Sequence, residues 1–417
     1  MLKKLHNYKR ITKCRLCNSK KLKKIYNFGN IPIGNNLQKT RLQSINCQKY
    51  PLSLIQCNKC EHFQLSVSVN PKILYAKNYT YLTGVTKTFN KHFRDYSKWS
   101  IDKCKLKKES LVLDIGSNDG TCLYYFKKNK MNVIGIDPAK KPSRIANDKG
   151  IKTINNFFNK KTSKKIKKKY GNFDFITSHN VLAHTENIQE IFLCIYDLLK
   201  EDAYFCFEIG YFKEVIKHNL FDTIYHEHLD YHHSKPLVKF LESIGFSIID
   251  LSINKIQGGT LRILLQKKKI KIKTKKINKF IKEEKKFFKK INIKNNFNYF
   301  KKTLLKLNFQ IKKEISKNKS IYAYGSPTKA SLLLINSKLN INMVKNAFED
   351  NMLKCNSYIP GTDIKILHTK KIKVDTDSVF IILAWNFSKE IEIRLKNKNI
   401  KNSKLLIPLP KMKIKKI

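Results

Sequence analysis

Acidic residues are scarce in this 417-residue chain: 31 Asp and Glu stand against 85 Lys and Arg, a formal charge of +54. Arginine is scarcer still, at seven of the 85 basic side chains. Proteins that read nucleic acid recruit arginine for bidentate contacts, so a lysine excess without it argues against a dedicated nucleic-acid surface. Lys, Asn and Ile are raised along the whole chain, loops included, as drift toward A/T-rich codons would produce. The charge is therefore discounted, and no nucleic-acid partner is expected. No stretch approaches the roughly 18 uninterrupted apolar residues of a membrane span. The basic start, MLKKLHNYKR, has no apolar run behind it, unlike a signal peptide. A soluble cytoplasmic protein without a membrane partner is the expectation.

The hydrophobic content, 41%, is that of a folded protein, and the length suits two to three domains. Ten cysteines in such a chain point to metal or free thiols before disulfides. Two pairs are spaced for a metal: CRLC supplies Cys14 and Cys17, and CNKC supplies Cys57 and Cys60. Each CxxC forms a turn that aims both sulfurs inward, and four thiolates around one tetrahedral ion leave no open position. A structural Zn2+ is expected, with His62 the nearest competing ligand. Residues 1–72 form this zinc-binding domain, closing on the strand-like EHFQLSVSV.

The line LVLDIGSNDGTCLYYF opens a second unit, residues 73–266. Leu111 to Ile115 read as a buried parallel strand, Gly116 and Gly120 as a tight turn, and Leu123 to Phe126 as the start of a helix. Strand, glycine turn and helix begin a doubly wound fold. About twenty residues on, VIGIDPA ends a second strand at Asp137, placed to accept from a ribose diol. The turn lacks GxGxxG. Asp114 and Asp119 would repel a pyrophosphate but suit a cationic sulfonium ligand with an amino group, so S-adenosylmethionine is favoured over a dinucleotide. Gly116, Asn118, Asp119 and Gly120 line the turn. The αβ rhythm continues through FDFITSHNVLAHT, IQEIFLCIYDLLK and AYFCFEIG. Asp114, Asp137, His179, His184 and Glu208 all fall at carboxyl ends of strands, where open α/β sheets bind ligands.

From about Lys267 to Lys319 the rhythm is helical and lysine-rich, consistent with one or two amphipathic helices. SIYAYGSPTKASLLL then restarts strand, glycine turn and helix, followed by VKNAFEDN, VFIILAWN and KLLIPLP as further strands. Residues 267–417 are thus a second Rossmann-like domain. Lys329 at a helix N-terminus is a natural seat for an anion, with a purely structural domain as the alternative. Arg262, in GGTLRI at the junction, could line the same cleft.

At the level of whole blocks the chain resembles the C-methyltransferases of nucleoside-diphosphate keto-sugars in deoxysugar biosynthesis. CRLC…CNKC, NYTYLTGVTKT, VLDIGSNDGT, GIDPA, NVLAHTEN, FDTIYHEHLDY, GGTLRI, YGSPTKA, YIPGTDI and LAWNF carry the resemblance, in that order. The chain departs from it in places: Gln257 stands where the family has His before GGSLR, and YGSPTKA where it has YGAPAKG, with Ala330 for the last Gly. The resemblance implies an α/β protein with a class I Rossmann-like methyltransferase core between the zinc-binding and second Rossmann-like domains. It implies His228 as the base that makes an enolate, Glu227 as its partner or orienter and Tyr225 as a donor to substrate. It also implies His184 as a second active-site histidine and Tyr79, with Tyr81 as fallback, closing over the sulfonium. Tyr324, Gly325, Lys329 and Asn386 would join Arg262 on the nucleotide-sugar.

The block TIYHEHLDYHH also admits blander readings. Its His spacing is i, i+2, not the i, i+4 of a zincin, but a second metal or a solvated polar loop stays open. In a strand-like loop His226 and His228 would share a side with Glu227 opposite, while His226, His232 and His233 need no role. A zinc-containing RNA methyltransferase, or a non-enzymatic zinc protein that binds nucleic acid, is the alternative the charge suggests. A monomer is expected.

Overall fold

The computed structural model describes residues 7–75, 82–254, 256–268, 274–373, 377–398, 400 and 402–417. Its centre is a seven-stranded sheet in the order Thr153–Asn155, Asn132–Asp137, Leu111–Ile115, Phe173–His179, Leu199–Gly210, Thr260–Lys267, Phe246–Asn254. The first five strands are parallel, and Thr260–Lys267 runs antiparallel to both neighbours. Val112, Leu113, Phe175, Ile176, Phe205 and Phe207 are fully buried, as expected of strands covered on both faces. Strand order reverses between Leu111–Ile115 and Phe173–His179, and a ligand crevice belongs beyond the carboxyl ends there.

A second sheet, all antiparallel, contains Leu22–Pro32, Lys49–Cys57 and Phe63–Leu65. Its fourth strand, Asp230–Tyr231, comes from inside the histidine-rich block and pairs with Gln64 and Phe63. The N-terminal unit is thus completed by residues far along the chain. Two residues carry no periodicity, which is why this strand does not show in the sequence.

The third sheet has the order Lys365–His368, Asn346–Glu349, Ile321–Tyr324, Val379–Ile382, Lys404–Ile407, Lys413–Lys416, parallel except for its last strand. The lysine-rich stretch before it is two helices, Lys275–Lys290 and Ile293–Ile315. The second buries Phe297, Phe300, Leu304, Leu307 and Ile311, a three-four spacing that makes one apolar stripe. Phe297 stacks on Tyr26 of the N-terminal sheet at 4.5 Å and meets Phe221 at 4.4 Å. One helix therefore ties the outer sheet to the chain that leads into the histidine-rich block. Among the described residues, no helix is long and apolar enough to cross a membrane.

Candidate active site

Each CxxC pair sits in the same local turn. Asn18 N–H donates to the Cys14 carbonyl and Glu61 N–H to that of Cys57, each at 2.9 Å, with Asn18 and Glu61 at positive φ. The four sulfurs lie within 4.8 Å of one another, with Cys14 and Cys60 at 3.5 Å and Cys17 and Cys57 at 3.6 Å. A tetrahedron with Zn–S near 2.3 Å has S···S edges of about 3.8 Å, so the cluster fits one ion. Burial pushes the Cys57 thiol up, but the backbone amides of Cys60 and Lys59 win and bring it to about 7. None of the ten cysteines is in a disulfide. His62, the competing ligand, is buried with Nε2 on Asp230 Oδ1 at 2.9 Å.

The glycine turn forms as its residue types require. Gly116 (φ 76°), Asn118 (φ 49°) and Gly120 (φ 74°) take left-handed backbone. A Cβ on Gly116 would fall 2.2 Å from Val181 Cγ2, so the turn packs hard against the loop that carries His184. Asp137 accepts the N–H groups of Asn118 and Ala139 at 2.9 and 2.8 Å, which locks the two strand ends together. Asn118 Oδ1 and Asp119 Oδ2 accept from Thr83 and Gly84 N–H at 3.0 and 2.9 Å, docking the 83–85 turn over the crevice. Tyr79 and Tyr81 lie outside the described residues. Asp114 Oδ1 and Ser117 Oγ are buried without a hydrogen-bond partner among the described residues. Burial, then the nearby Asp137, holds the Asp114 carboxyl well above the usual range. A cationic ligand would relieve that cost, so the donor set fits a sulfonium compound and not a pyrophosphate.

His179, Glu208 and Arg262 meet in one buried polar network. His179 Nδ1 and His92 Nε2 lie 3.1 and 2.7 Å from Glu208 Oε2. Arg262 Nε and Asn254 Nδ2 donate to Oε1 at 2.7 and 2.9 Å. The Arg262 guanidinium also lies over Tyr96 and Trp99. Arg262 is itself on the central sheet, in Thr260–Lys267, and faces Glu208 as its cross-strand partner.

The histidine-rich block is a tight turn rather than a strand: His228 N–H donates to the Tyr225 carbonyl at 3.0 Å. Alternation therefore does not apply. His226 reaches the Pro51 carbonyl at 3.3 Å, and Glu227 accepts from Asn35 Nδ2 at 3.3 Å, both toward the N-terminal sheet. His228 points elsewhere. Its Nδ1 lies 2.8 Å from the Thr223 carbonyl, which only accepts, so the proton sits on Nδ1. Nε2 then keeps its lone pair and accepts from the Tyr225 hydroxyl at 3.0 Å. The His184 and His228 rings are 4.9 Å apart. Burial, then the His228 charge, lowers His184 to about 3, and burial lowers His228 to about 4. Burial raises Glu227 to about 7. The Thr223 carbonyl thus orients His228 through Nδ1.

Two neighbours of this block escaped sequence reasoning. Asn35 donates to Glu227 and accepts from Thr328 Oγ1 at 2.8 Å, linking the loop after Leu22–Pro32, the histidine-rich block and the loop after Ile321–Tyr324 at one amide. A Cβ on Gly34 would lie 1.8 Å from the Thr328 carbonyl, so IGNN can approach SPTK only with glycine there. Asp222, fully buried, pairs with Lys329 Nζ at 2.8 Å and accepts from Trp385 Nε1 at 2.5 Å. Lys329 also lies 3.8 Å over the Trp385 ring. The lysine expected to seat an anion is therefore held by a carboxylate one residue before Thr223. Gly325 N–H donates to the Phe348 carbonyl at 2.7 Å, and the Tyr324 hydroxyl to Asp350 at 3.3 Å. Asn386 sits in the Trp385–Phe387 turn, next to the Trp385 whose ring Lys329 covers. Ala330 is buried at the start of Ala330–Asn336.

Three family models match in sequence order: "Putative zinc binding domain" over residues 14–75, "Methyltransferase domain" over 91–251 and "C-methyltransferase C-terminal domain" over 255–410. The C-methyltransferase NovU of Streptomyces niveus is 25% identical over 409 residues, covering 97% of each chain. Among solved structures, the magnesium protoporphyrin IX methyltransferase of Synechocystis with bound SAM is 15% identical. It covers 42% of this chain and 78% of its own, with a TM-score of 0.33. A putative sarcosine dimethylglycine methyltransferase from Galdieria sulphuraria is 12% identical over 43% of this chain and 87% of its own, with a TM-score of 0.35. With a four-cysteine cluster, a sulfonium-compatible crevice and these three matches in order, the chain is an S-adenosylmethionine-dependent methyltransferase that carries a zinc-binding domain and a match to the C-methyltransferase C-terminal domain.

Proposed function

We propose that the chain methylates a carbon beside the ketone of a nucleoside-diphosphate 4-keto-deoxysugar, through an enolate, in branched-sugar biosynthesis. The observation that carries this reading is the His228 tautomer. A neutral imidazole fixed at Nδ1 by the Thr223 carbonyl leaves Nε2 unprotonated, the form a general base needs. The proton leaves the carbon for His228 Nε2, and the electron pair moves to the ketone oxygen. Tyr225, which donates to Nε2 before substrate arrives, would then donate to the enolate oxygen. S-adenosylmethionine, held by the turn Gly116–Gly120 with Asp114 and Asp137, would supply the electrophilic methyl to the enolate carbon, the carbon–sulfur electron pair staying with sulfur. His184 stands behind His228 as a second polar wall, and the neutral form of both rings suits a crevice that also holds a sulfonium.

The domain limits 1–72, 73–266 and 267–417 belong to the same reading. So does a nucleotide-sugar held near Tyr324, Gly325, Lys329 and Asn386, which requires Lys329 to exchange Asp222 for a phosphate. Solvent-deuterium washout tests the base directly. With a dTDP-4-keto-6-deoxyhexose deuterated beside the ketone, the enzyme should release deuterium without methyl transfer. His228→Asn should abolish washout and lower turnover by roughly 10²–10⁴-fold, the usual effect of losing an acid–base group. Equal washout in the variant would move the role to another residue, His184 first.

A further inference from the structure

Arg15 stands inside the first CxxC turn, between two cysteines of the zinc cluster, and its side chain leaves that cluster altogether. Its Nε donates to both carboxylate oxygens of Asp230, at 2.9 and 3.0 Å. Its Nη1 donates to the Glu186 carbonyl at 2.9 Å and its Nη2 to the Thr185 carbonyl. The Asp230 side chain is fully buried and that of Arg15 is 7% exposed. Thr185 follows His184, and Asp230 lies two residues beyond His228. One guanidinium therefore grips both loops that bring the histidine rings to 4.9 Å. The loops also bond directly: Leu229 N–H donates to the Ala183 carbonyl at 2.7 Å.

The turn itself is held from both sides. Arg15 N–H donates to Gln64 Oε1 at 2.8 Å, and Gln189 Nε2 donates to the carbonyls of Arg15 and Leu16 at 3.1 and 3.3 Å. His62, two residues after Cys60, takes the remaining approach to Asp230 Oδ1 at 2.9 Å. Both cysteine turns thus send one side chain to the same carboxylate. A metal that only stabilised a separate small domain would need neither. A planar fork can bond a carboxylate and two carbonyls at once, which a lysine ammonium on a flexible stem does not reproduce.

We propose that Arg15 is a positioning residue for the reaction, through which the zinc cluster sets the spacing of the His184 and His228 loops. This rests on the roles proposed above for those histidines. Removing the guanidinium leaves the fully buried Asp230 charge uncompensated, so the Asp230 strand should loosen when the fork is lost. The metal should stay, because all four sulfur ligands remain.

The test uses full-length Arg15→Met and Arg15→Lys, with Asp230→Asn as the reciprocal change that leaves the cysteine turn intact. Zinc by elemental analysis and S-adenosylhomocysteine affinity by calorimetry should stay within about twofold of wild type. Hydrogen exchange of peptides spanning 181–190 and 224–233 should rise at least tenfold in all three. With the dTDP-4-keto-6-deoxyhexose probe, kcat should fall 30-fold or more while KM moves less than threefold. Unchanged exchange in Asp230→Asn overturns the proposal, whatever turnover does. So does an Arg15→Lys enzyme with wild-type exchange and kcat. If Arg15→Met loses zinc, the exchange of Asp230→Asn alone decides the matter. If wild type ignores the sugar probe, the proposed substrate fails while exchange still judges the clamp.

Discussion

Acid should attack this protein at its proposed base before anywhere on its surface. Burial holds His228 near 4, with the Thr223 carbonyl opposing the shift only in part. In the unfolded chain a histidine titrates near 6.5. The unfolded state therefore binds the proton first, and stability falls as pH drops from about 6.5 toward the folded value. The full effect is about 2.5 units, or about 3 kcal/mol, of which about 2 kcal/mol is already lost at pH 5. Above pH 6.5 the stabilisation is complete and flat. His184, lowered to about 3, acts in the same direction, and its charge opposes that of His228.

The comparison that isolates this effect is wild type against His228→Asn, each melted at pH 7.5, 6 and 5. Asparagine can still donate to the Thr223 carbonyl but takes up no proton. Zinc thiolates are also lost to acid, yet both proteins share that loss and it cancels in the difference. For a domain of 150–250 residues, about 2 kcal/mol corresponds to about 4–8 °C in Tm. The wild-type midpoint should therefore fall about 4–8 °C further than the variant's between pH 7.5 and 5. Parallel lines for the two proteins would refute a His228 held neutral by burial.

Cys57→Ser should lose the zinc and destabilise the N-terminal sheet, because a structural ion's binding energy is folding energy; wild-type protein prepared without chelator but free of zinc in elemental analysis would defeat this. Asp137→Ala frees the amides of Asn118 and Ala139 as well as removing the acceptor, so S-adenosylhomocysteine affinity should drop tenfold or more by calorimetry. Undiminished affinity would show that the carboxylate is not part of the cofactor seat. Glu227 is raised to about 7, so its ionised fraction grows through neutrality and kcat/KM should climb with pH there. Glu227→Gln should be slower and should lack that climb; the same inflection in the variant would assign it to another group.

What could be read from the sequence divides by range. Leu111–Ile115, the glycine turn and Asp137 are local patterns, and the structure returns each in place. The zinc ligands are legible because CxxC encodes its own turn, which Asn18 and Glu61 complete in left-handed backbone. Lys329 is the contrary case. A lysine at a helix entry reads as an anion seat, but the carboxylate that holds it, Asp222, is more than a hundred residues away. The YHEHL residues could be singled out by type and block, yet their directions could not, since a turn and not a strand sets them. Asn35 gives no local signal at all; it is a surface-type residue until the third sheet closes over it.

These long-range contacts share one destination. Phe221 packs on the helix Ile293–Ile315, and Asp222 is held by Lys329 and Trp385. His226 and Glu227 are fixed by Pro51 and Asn35, and Asp230 by Arg15 and His62. His233 bonds Glu284 of the helix Lys275–Lys290 and the Glu61 carbonyl. The thirteen residues 221–233 thus take their shape from every other part of the molecule. A methyltransferase sheet standing alone would leave Asp222 and Asp230 as buried charges without partners, a cost of several kcal/mol each. The block would then be expelled to solvent, and the His184–His228 pair with it. The outer domains are on this argument conditions for the acid–base geometry.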